Sequence, residues 1–233
     1  MCLLGTARRS SQKCTVALVC MGIGKLVVMA LLILAYYFEP SEYTKALPAL
    51  NLAILAPNRF AGAAMFLAAA GDYLLEKDEN PIPGILSFLG CHLFLIDLTQ
   101  MVIIHSNLKG KKKWFILPAL ILSGIAIAIT TQVEKEIAIP IFLYTHVLAT
   151  LLLCAVADVV IWHGNKLIWP SLNPELLSPV TFLCGVIVFI ISDIFVLGEL
   201  VEIDDIPPIG LPLYWSGISL INLSFGWVSY PGS

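Results

Sequence analysis

Charged residues are scarce in this sequence. Asp, Glu, Lys and Arg make up 12% of the 233 residues, which is about half the share typical of a soluble domain. Hydrophobic residues make up 59%, and a soluble globule of this size would leave much of that apolar surface in contact with water. The composition therefore excludes an ordinary cytosolic enzyme, a disordered chain and a secreted disulfide scaffold. The formal net charge is only −3, and no basic stretch is extensive enough to indicate a nucleic-acid partner.

Metal-binding and disulfide motifs are also lacking. The six cysteines form no CxxC pair and no ligand-like cluster, and the histidines show no HxxxH or HxxE spacing that favours zinc. Free cysteines inside apolar runs behave as small hydrophobic residues. We therefore expect no metal and no other cofactor.

Long apolar segments dominate what is present. A helix needs about 20 apolar residues to cross a bilayer, and the pattern predicts an all-α, polytopic membrane helix bundle of about eight transmembrane helices. Residues 1–233 would form a single transmembrane domain, with short cytosolic tails at 1–15 and 229–233 and the bundle at 16–228. A rival interpretation fuses the second and third segments across Pro57, Asn58 and Arg59 into one kinked span and gives seven helices. The eight segments are Val16–Phe38, Thr44–Pro57, Phe60–Leu75, Gly84–His105, Trp114–Thr131, Ile137–Trp162, Pro179–Leu197 and Leu211–Val228.

Loop charges indicate the orientation of the chain. With the N-terminus in the cytosol, most Lys and Arg residues fall in the inner loops, which is the positive-inside pattern. Both termini are therefore predicted to be cytosolic. The first apolar run is long and no small-residue cleavage site follows it, so we expect a retained signal anchor. The inner residues are Arg8, Arg9, Lys13, Arg59, Lys109, Lys111, Lys112, Lys113 and Lys166, and the outer ones are Lys45, Lys77 and Lys135.

Several ionisable residues lie inside the apolar segments. Such groups cost at least ~2.5 kcal/mol each at the centre of a bilayer, so they usually face a polar cavity or one another. Asp158 either faces such a polar partner or reaches interfacial water, because it lies near the cytosolic end of its segment. Lys25 can serve in a structural ion pair. The embedded residues are Lys25, Asp72, His92, Asp97, His146, Asp158 and Asp193.

Asp72 and Asp193 are the strongest candidates for function. Each follows a small residue, which lets helices approach closely. At a rise of about 1.5 Å per residue, both lie roughly 20 Å above the cytosolic edge, and His92 and His146 reach a comparable depth. We expect these two carboxylates and two imidazoles to share one polar cavity in the outer half of the bilayer.

Four short stretches carry a family resemblance. They are Thr44–Pro48 with a lysine-proline element, Phe66–Leu75 with a Gly-Asp pair, Phe88–His92 and Gly185–Asp193 with a Ser-Asp ending. In this order and spacing they resemble the motifs of the lysoplasmalogenase family, the YhhN-like integral membrane proteins. The match runs from Lys45 to Ser224. Two positions depart from the family pattern: Leu95 stands where the family usually has tyrosine, and Ile218 stands near a common glutamine.

The resemblance implies hydrolysis of the vinyl ether bond of lysoplasmalogens, with release of a fatty aldehyde and a glycerophospho-base. Such a bond breaks after proton transfer to its terminal alkene carbon, which needs a general acid that is protonated near neutral pH. On this interpretation Asp72 or Asp193 donates the proton and the other aspartate stays ionised. His92 would orient water or shuttle protons.

The resemblance also implies a substrate-binding set. Lys45 would attract the phosphate as a point charge, or else it is an interfacial lysine that snorkels to the membrane surface. Tyr144 and Tyr214 fall where the family places aromatic residues, and His146 lies at the depth of the proposed cavity. The expected partners are a lysophospholipid substrate and the lipid bilayer, without nucleic acid.

Other functions stay open on the sequence alone. A small bundle with buried Asp and His is also compatible with a proton-coupled transporter of small molecules or lipids, or with a scaffold or receptor. The expected location is the endoplasmic reticulum membrane, inferred from lipid metabolism and the signal anchor. The oligomeric state is not indicated.

Overall fold

The computed structural model describes residues 24, 27–77, 80–105, 121, 123–125, 127–128, 130–131, 133, 135–165, 174–200 and 209–225. Within these residues the chain forms eight helical segments and no strand, so the predicted all-α class is confirmed there. The helices are α1 (Val27–Phe38), α2 (Glu42–Ile54), α3 (Arg59–Lys77), α4 (Ile82–His105), α5 (helical residues between 121 and 130), α6 (Lys135–Asn165), α7 (Pro174–Leu200) and α8 (Gly210–Phe225).

Local sequence signals explain where α2 and α3 begin. Ser41 caps α2 by accepting a hydrogen bond from the Thr44 backbone N–H, and the Thr44 hydroxyl accepts one from the Ser41 backbone N–H, which completes a capping box. The Asn58 side chain accepts from the Ala61 N–H at 2.8 Å at the start of α3. Because α2 and α3 are separate helices that pack side by side, they do not form the single kinked span of the rival seven-helix interpretation.

Three helices are long and apolar enough to cross a membrane: Ile82–Thr99 in α4, Lys135–Val160 in α6 and Ser178–Gly198 in α7. Large apolar side chains are also exposed on the outer faces of the helices, as in Leu93, Ile139 and Ile194, which suits contact with lipid. These features support a membrane protein. Eight crossings and cytosolic termini stay predictions, since the tails and parts of the first, fifth and eighth predicted segments lie outside the described residues.

The helices form a closed arrangement around a common interior. Neighbouring pairs pack in the order α2, α3, α4, α6, α7 and α8, and α8 returns to contact α2 and α3. The tightest approach joins α7 and α8. A Cβ atom on Gly185 would lie 2.8 Å from the Ile221 nitrogen, and one on Gly217 would lie 2.9 Å from the Phe189 nitrogen. Glycine at both positions therefore allows the two backbones to touch.

Candidate active site

Asp72 lies on the inward face of α3. That face carries Ala61, Ala64, Ala68 and Asp72, which recur at helical spacing and are buried. Asp72 is 3% exposed, and its Oδ2 accepts a hydrogen bond of 2.8 Å from the Tyr214 hydroxyl of α8. This bond satisfies part of the hydrogen-bonding demand of a carboxyl group removed from water.

Gly71 makes room for the α4 side of the site. A Cβ atom at Gly71 would lie 2.6 Å from the Phe88 ring, so only glycine lets that ring pack against α3 beside Asp72. The Phe88 ring in turn stands edge-on to Tyr214, with 5.9 Å between the ring centroids. The Gly-Asp pair thus combines a close helix contact with the functional carboxyl group.

Asp193 forms a second, similar pair. Its Oδ2 accepts a hydrogen bond of 2.6 Å from the Tyr144 hydroxyl, which joins α7 to α6. Asp193 is partly buried, and Ser192 beside it is fully buried. Each carboxyl group therefore has its own tyrosine donor. Among the residues that the structure describes, no hydrogen bond joins the two carboxyl groups directly.

His92 lies between the two aspartate–tyrosine pairs. Its ring is 4.9 Å from the Phe189 ring and 5.3 Å from the Tyr144 ring. Phe189 also contacts Tyr214, at 5.6 Å. A continuous run of rings therefore connects the Asp72 pair to the Asp193 pair through His92. Cys91, which is buried, lies within electrostatic range of both aspartates.

The hydrogen bond of His92 assigns its tautomer. Nδ1 lies 2.6 Å from the carbonyl oxygen of Phe88, which can only accept, so Nδ1 carries the hydrogen and donates. The Nε2 lone pair is then an acceptor. His92 is 1% exposed, and its Nε2 has no hydrogen-bond partner among the described residues. A buried acceptor of this kind suits a bound hydroxyl group or water.

Two more buried polar atoms near this region lack partners in the described part of the chain. They are Ser192 Oγ, beside Asp193, and Trp215 Nε1, beside Tyr214. No three His, Cys, Asp or Glu side chains within the described ranges are grouped as a metal ion requires. The site therefore consists of carboxyl, phenol, imidazole and unpartnered donor and acceptor groups.

Lys45 lies at the start of α2, near the same end of the bundle as the Asp72 pair. Its Nζ forms an ion pair of 2.7 Å with Glu76, and the two side chains are 20% and 36% exposed. Glu76 follows Asp72 by one turn of α3, and Lys45 is within electrostatic range of Asp72. The sequence analysis did not assign Glu76 to the site, although its spacing of four residues from Asp72 places both on one helix face.

His146 is not brought into this cluster. Its Nδ1 lies 3.1 Å from the Phe142 carbonyl oxygen, and its ring packs on Phe142. The described contacts of His146 therefore stay on its own helix. The reason is helix geometry: at about 100° per residue, a position two residues after Tyr144 points roughly 200° away from it. The expected layer of two imidazoles thus holds one, His92, among the described contacts.

The remaining embedded residues lie elsewhere. Asp97 is on an exposed face of α4. Asp158 is 8% exposed, and its Oδ1 has no hydrogen-bond partner among the described residues, so it does not reach out to the interface. It follows Tyr144 by 14 residues on α6, or about 21 Å along the helix. Lys25 lies outside the described residues.

Comparison with protein families matches residues 22–225 to the YhhN family. This range includes α1 to α8 and every residue of the candidate site. Comparison with curated proteins and with solved structures finds no match. The resemblance inferred from the four motifs is confirmed, and the chain belongs to the YhhN family.

Proposed function

We propose that this protein is a membrane hydrolase that cleaves the vinyl ether bond of lysoplasmalogens. The products are a fatty aldehyde and a glycerophospho-base, either glycerophosphoethanolamine or glycerophosphocholine. Membership of the YhhN family supports this reaction class. The observation that carries the proposal is the placement of Asp72 and Asp193, each bonded to a tyrosine, in one ring-connected cluster around His92.

The proposed reaction begins with proton transfer from an aspartic acid to the alkene carbon of the vinyl ether that does not carry the oxygen. An oxocarbenium ion forms at the carbon that carries the oxygen. A carboxylate nearby stabilises this cation electrostatically. Water then adds to the cationic carbon and loses a proton, which restores the acid. The resulting hemiacetal collapses to the aldehyde and the free glycerol hydroxyl group, so one water molecule is consumed for each bond broken.

The two aspartates suit the acid and the ion-stabilising roles. In each pair the tyrosine hydroxyl donates to Oδ2, so Oδ1 is the oxygen that can face the substrate. Fixing one oxygen also restricts the rotation of the carboxyl group, and a positioned acid is more effective than a mobile one. Tyr144 and Tyr214 therefore act as positioning residues in this proposal, in place of the substrate-binding roles expected from the sequence.

His92 suits the water step. Its Nε2 is a buried acceptor without a described partner, so it can accept a hydrogen bond from the attacking water. The Nδ1–H bond to the Phe88 carbonyl oxygen holds the ring in this orientation. Such an arrangement aligns the water, and His92 relays the proton that the water loses to the aspartate that acted as the acid.

The direct test uses full-length protein purified in detergent and supplied with a lysoplasmalogen. We expect release of fatty aldehyde in proportion to protein, and no release from the matched lysophospholipid with a saturated alkyl ether, which has no alkene carbon to protonate. A proton-coupled transporter would release no aldehyde from either lipid, and that result would contradict the proposal.

A further inference from the structure

The Lys45–Glu76 ion pair lies one helical turn from Asp72 along α3. It places one cation and one anion side by side, both partly exposed. Asp72 is four residues before Glu76 on α3, a rise of about 6 Å. In a lysoplasmalogen six covalent bonds separate the phosphorus from the oxygen-bearing alkene carbon and seven separate it from the carbon that is protonated, a span of roughly 6–9 Å at ordinary bond lengths. A lipid with its vinyl ether at Asp72 would therefore bring its phosphate to the level of this ion pair.

Aromatic rings lie near this ion pair. Tyr36 and Tyr37, at the end of α1, contact Trp215 of α8, with ring centroids 5.4 and 6.3 Å away. All three rings are close to perpendicular to one another. Tyr36 is within electrostatic range of Lys45, Glu76 and Asp72. Aromatic faces attract ammonium groups, including quaternary ones.

Trp215 adds an independent observation. It is fully buried, and its Nε1–H has no acceptor among the described residues. It directly follows Tyr214, which holds Asp72. A buried donor without an acceptor is costly, and the Tyr36 and Tyr37 rings pack edge-on against this buried indole.

We propose that Lys45, Glu76 and the rings of Tyr36 and Tyr37, which pack against the buried Trp215, form a head-group subsite that selects zwitterionic phospho-base lysolipids. The phosphate lies against Lys45, and the ammonium group lies against Glu76 and the aromatic rings. The phosphate–ammonium dipole of the ligand then lies antiparallel to the Glu76–Lys45 dipole of the protein. The ion pair between Lys45 and Glu76 stays intact when the ligand binds. Glu76 also repels head groups without an ammonium group, so it acts as the specificity-determining residue. This inference rests on the proposed function, because that function places the lipid at Asp72.

The test measures equilibrium binding to full-length protein in nanodiscs of one fixed lipid composition. The probes are two saturated, short-chain alkyl ether lysolipids, one with a phosphocholine head group and one with a phosphate monoester. Neither can be protonated at an alkene carbon, so binding is read without turnover. We expect the wild type to prefer phosphocholine, and Glu76→Gln to reduce that preference roughly fivefold, the upper range for a partly exposed charge pair. Lys45→Gln should weaken both probes, and the phosphate monoester more than phosphocholine, because the monoester carries the larger negative charge.

Glu39→Gln is the matched control, because it removes an exposed carboxylate just before α2. It should preserve the wild-type ratio. A second pair of variants tests the rings without altering the ion pair: Tyr37→Leu should reduce the preference about two- to fivefold, as expected for an exposed cation–π contact, and Tyr37→Phe should retain it. Tyr37 is 55% exposed, which makes it suitable for substitution.

An equal affinity of the wild type for the two probes would overturn the inference. The inference would also fail if neither Glu76→Gln nor Tyr37→Leu changed the ratio of the two probe affinities, because bulk lipid would then explain the binding. It would fail as well if Glu39→Gln changed that ratio as much as Glu76→Gln, because general surface charge would then explain it. These outcomes concern the head group alone. Failure to release aldehyde from a vinyl ether lipid, with the binding preference intact, would count against the proposed function and leave the subsite standing.

Discussion

At the scale of single residues, the two tyrosine hydroxyl groups orient the carboxyl groups of the two aspartates. Tyr214 reaches Asp72 from 142 positions further along the chain, and Tyr144 reaches Asp193 across 49 positions. The sequence predicted that all four residues belong to the site but gave no means of pairing them. Pairing depends on which helices are neighbours, and that is set by packing over the whole bundle.

Tyr214→Phe separates positioning from substrate binding. The variant removes the hydroxyl that donates to Asp72 and keeps the ring that contacts Phe88 and Phe189. A hydrogen bond to a charged group is worth about 1.5–3 kcal/mol, so we expect kcat for aldehyde release to fall about 10- to 100-fold with little change in KM. Steady-state kinetics in detergent would measure both constants.

Tyr73→Phe is the control for this prediction, because Tyr73 is on the same helix as Asp72 but contacts Tyr43 outside the site. It should retain both constants. A rise in KM for Tyr214→Phe with kcat unchanged would instead assign Tyr214 to substrate binding.

At the scale of helices, the sequence predicted the boundaries better than the rotations. Proline and asparagine at 57 and 58 marked the break between α2 and α3, because both residues disfavour the helix interior and Asn58 can cap the next helix. The rotation of α6 was not predictable from its apolar residues, which surround the helix on all sides. His146 was expected at the site from its depth in the membrane, whereas the side of α6 that carries Tyr144 faces the site.

The contact between α7 and α8 positions residues of the candidate site. Gly217 lies against the backbone of Phe189, and the Phe189 ring contacts both His92 and Tyr214. Any side chain at Gly217 therefore separates the helices that position two members of the cluster. The close approach is a requirement of the site as well as of the fold.

Gly217→Ala tests this link. Its Cβ would lie 2.9 Å from a backbone atom that cannot rotate away, and overpacking of this kind costs about 1–3 kcal/mol. We expect a lower thermal unfolding temperature in detergent together with reduced aldehyde release. Gly124→Ala is the matched control, since a Cβ there meets no atom of the described residues within 4 Å. Equal stability of the two variants would show that α7 and α8 do not need their close contact.

At the scale of the whole molecule, the closed helix arrangement determines the contacts within the site, and the loop charges predict its orientation in the membrane. The arrangement of α2 to α8 fixes which residues meet, and the loop charges predict which membrane face the site approaches. Lys45 and Glu76 lie at the end that the sequence analysis assigned to the outer side. The substrate would then enter from the non-cytosolic leaflet.

A topology measurement tests this orientation. A reporter fused after Ser233 should lie in the cytosol, and one inserted at Asp204, which falls between α7 and α8 in the sequence, should lie on the opposite side. The positive-inside pattern and eight crossings are the reasons. Protease protection of each reporter in sealed membranes would locate it. A C-terminus outside the cytosol would contradict the eight-span prediction and the assigned entry side.

The central claim is that Asp72 and Asp193 together perform the reaction, and their asparagine variants test it most directly. Asparagine keeps the shape and much of the hydrogen bonding but cannot donate a carboxylic proton or carry the charge. Aldehyde release should be measured for Asp72→Asn, Asp193→Asn and Asp158→Asn, each shown to be folded and inserted. General acid catalysis is worth about 10²–10⁴-fold, so we expect losses of at least that order for the first two variants and far smaller losses for Asp158→Asn. A rate near the wild-type value for either Asp72→Asn or Asp193→Asn would contradict the account, and a large loss for Asp158→Asn alone would place the reaction at the other end of the bundle.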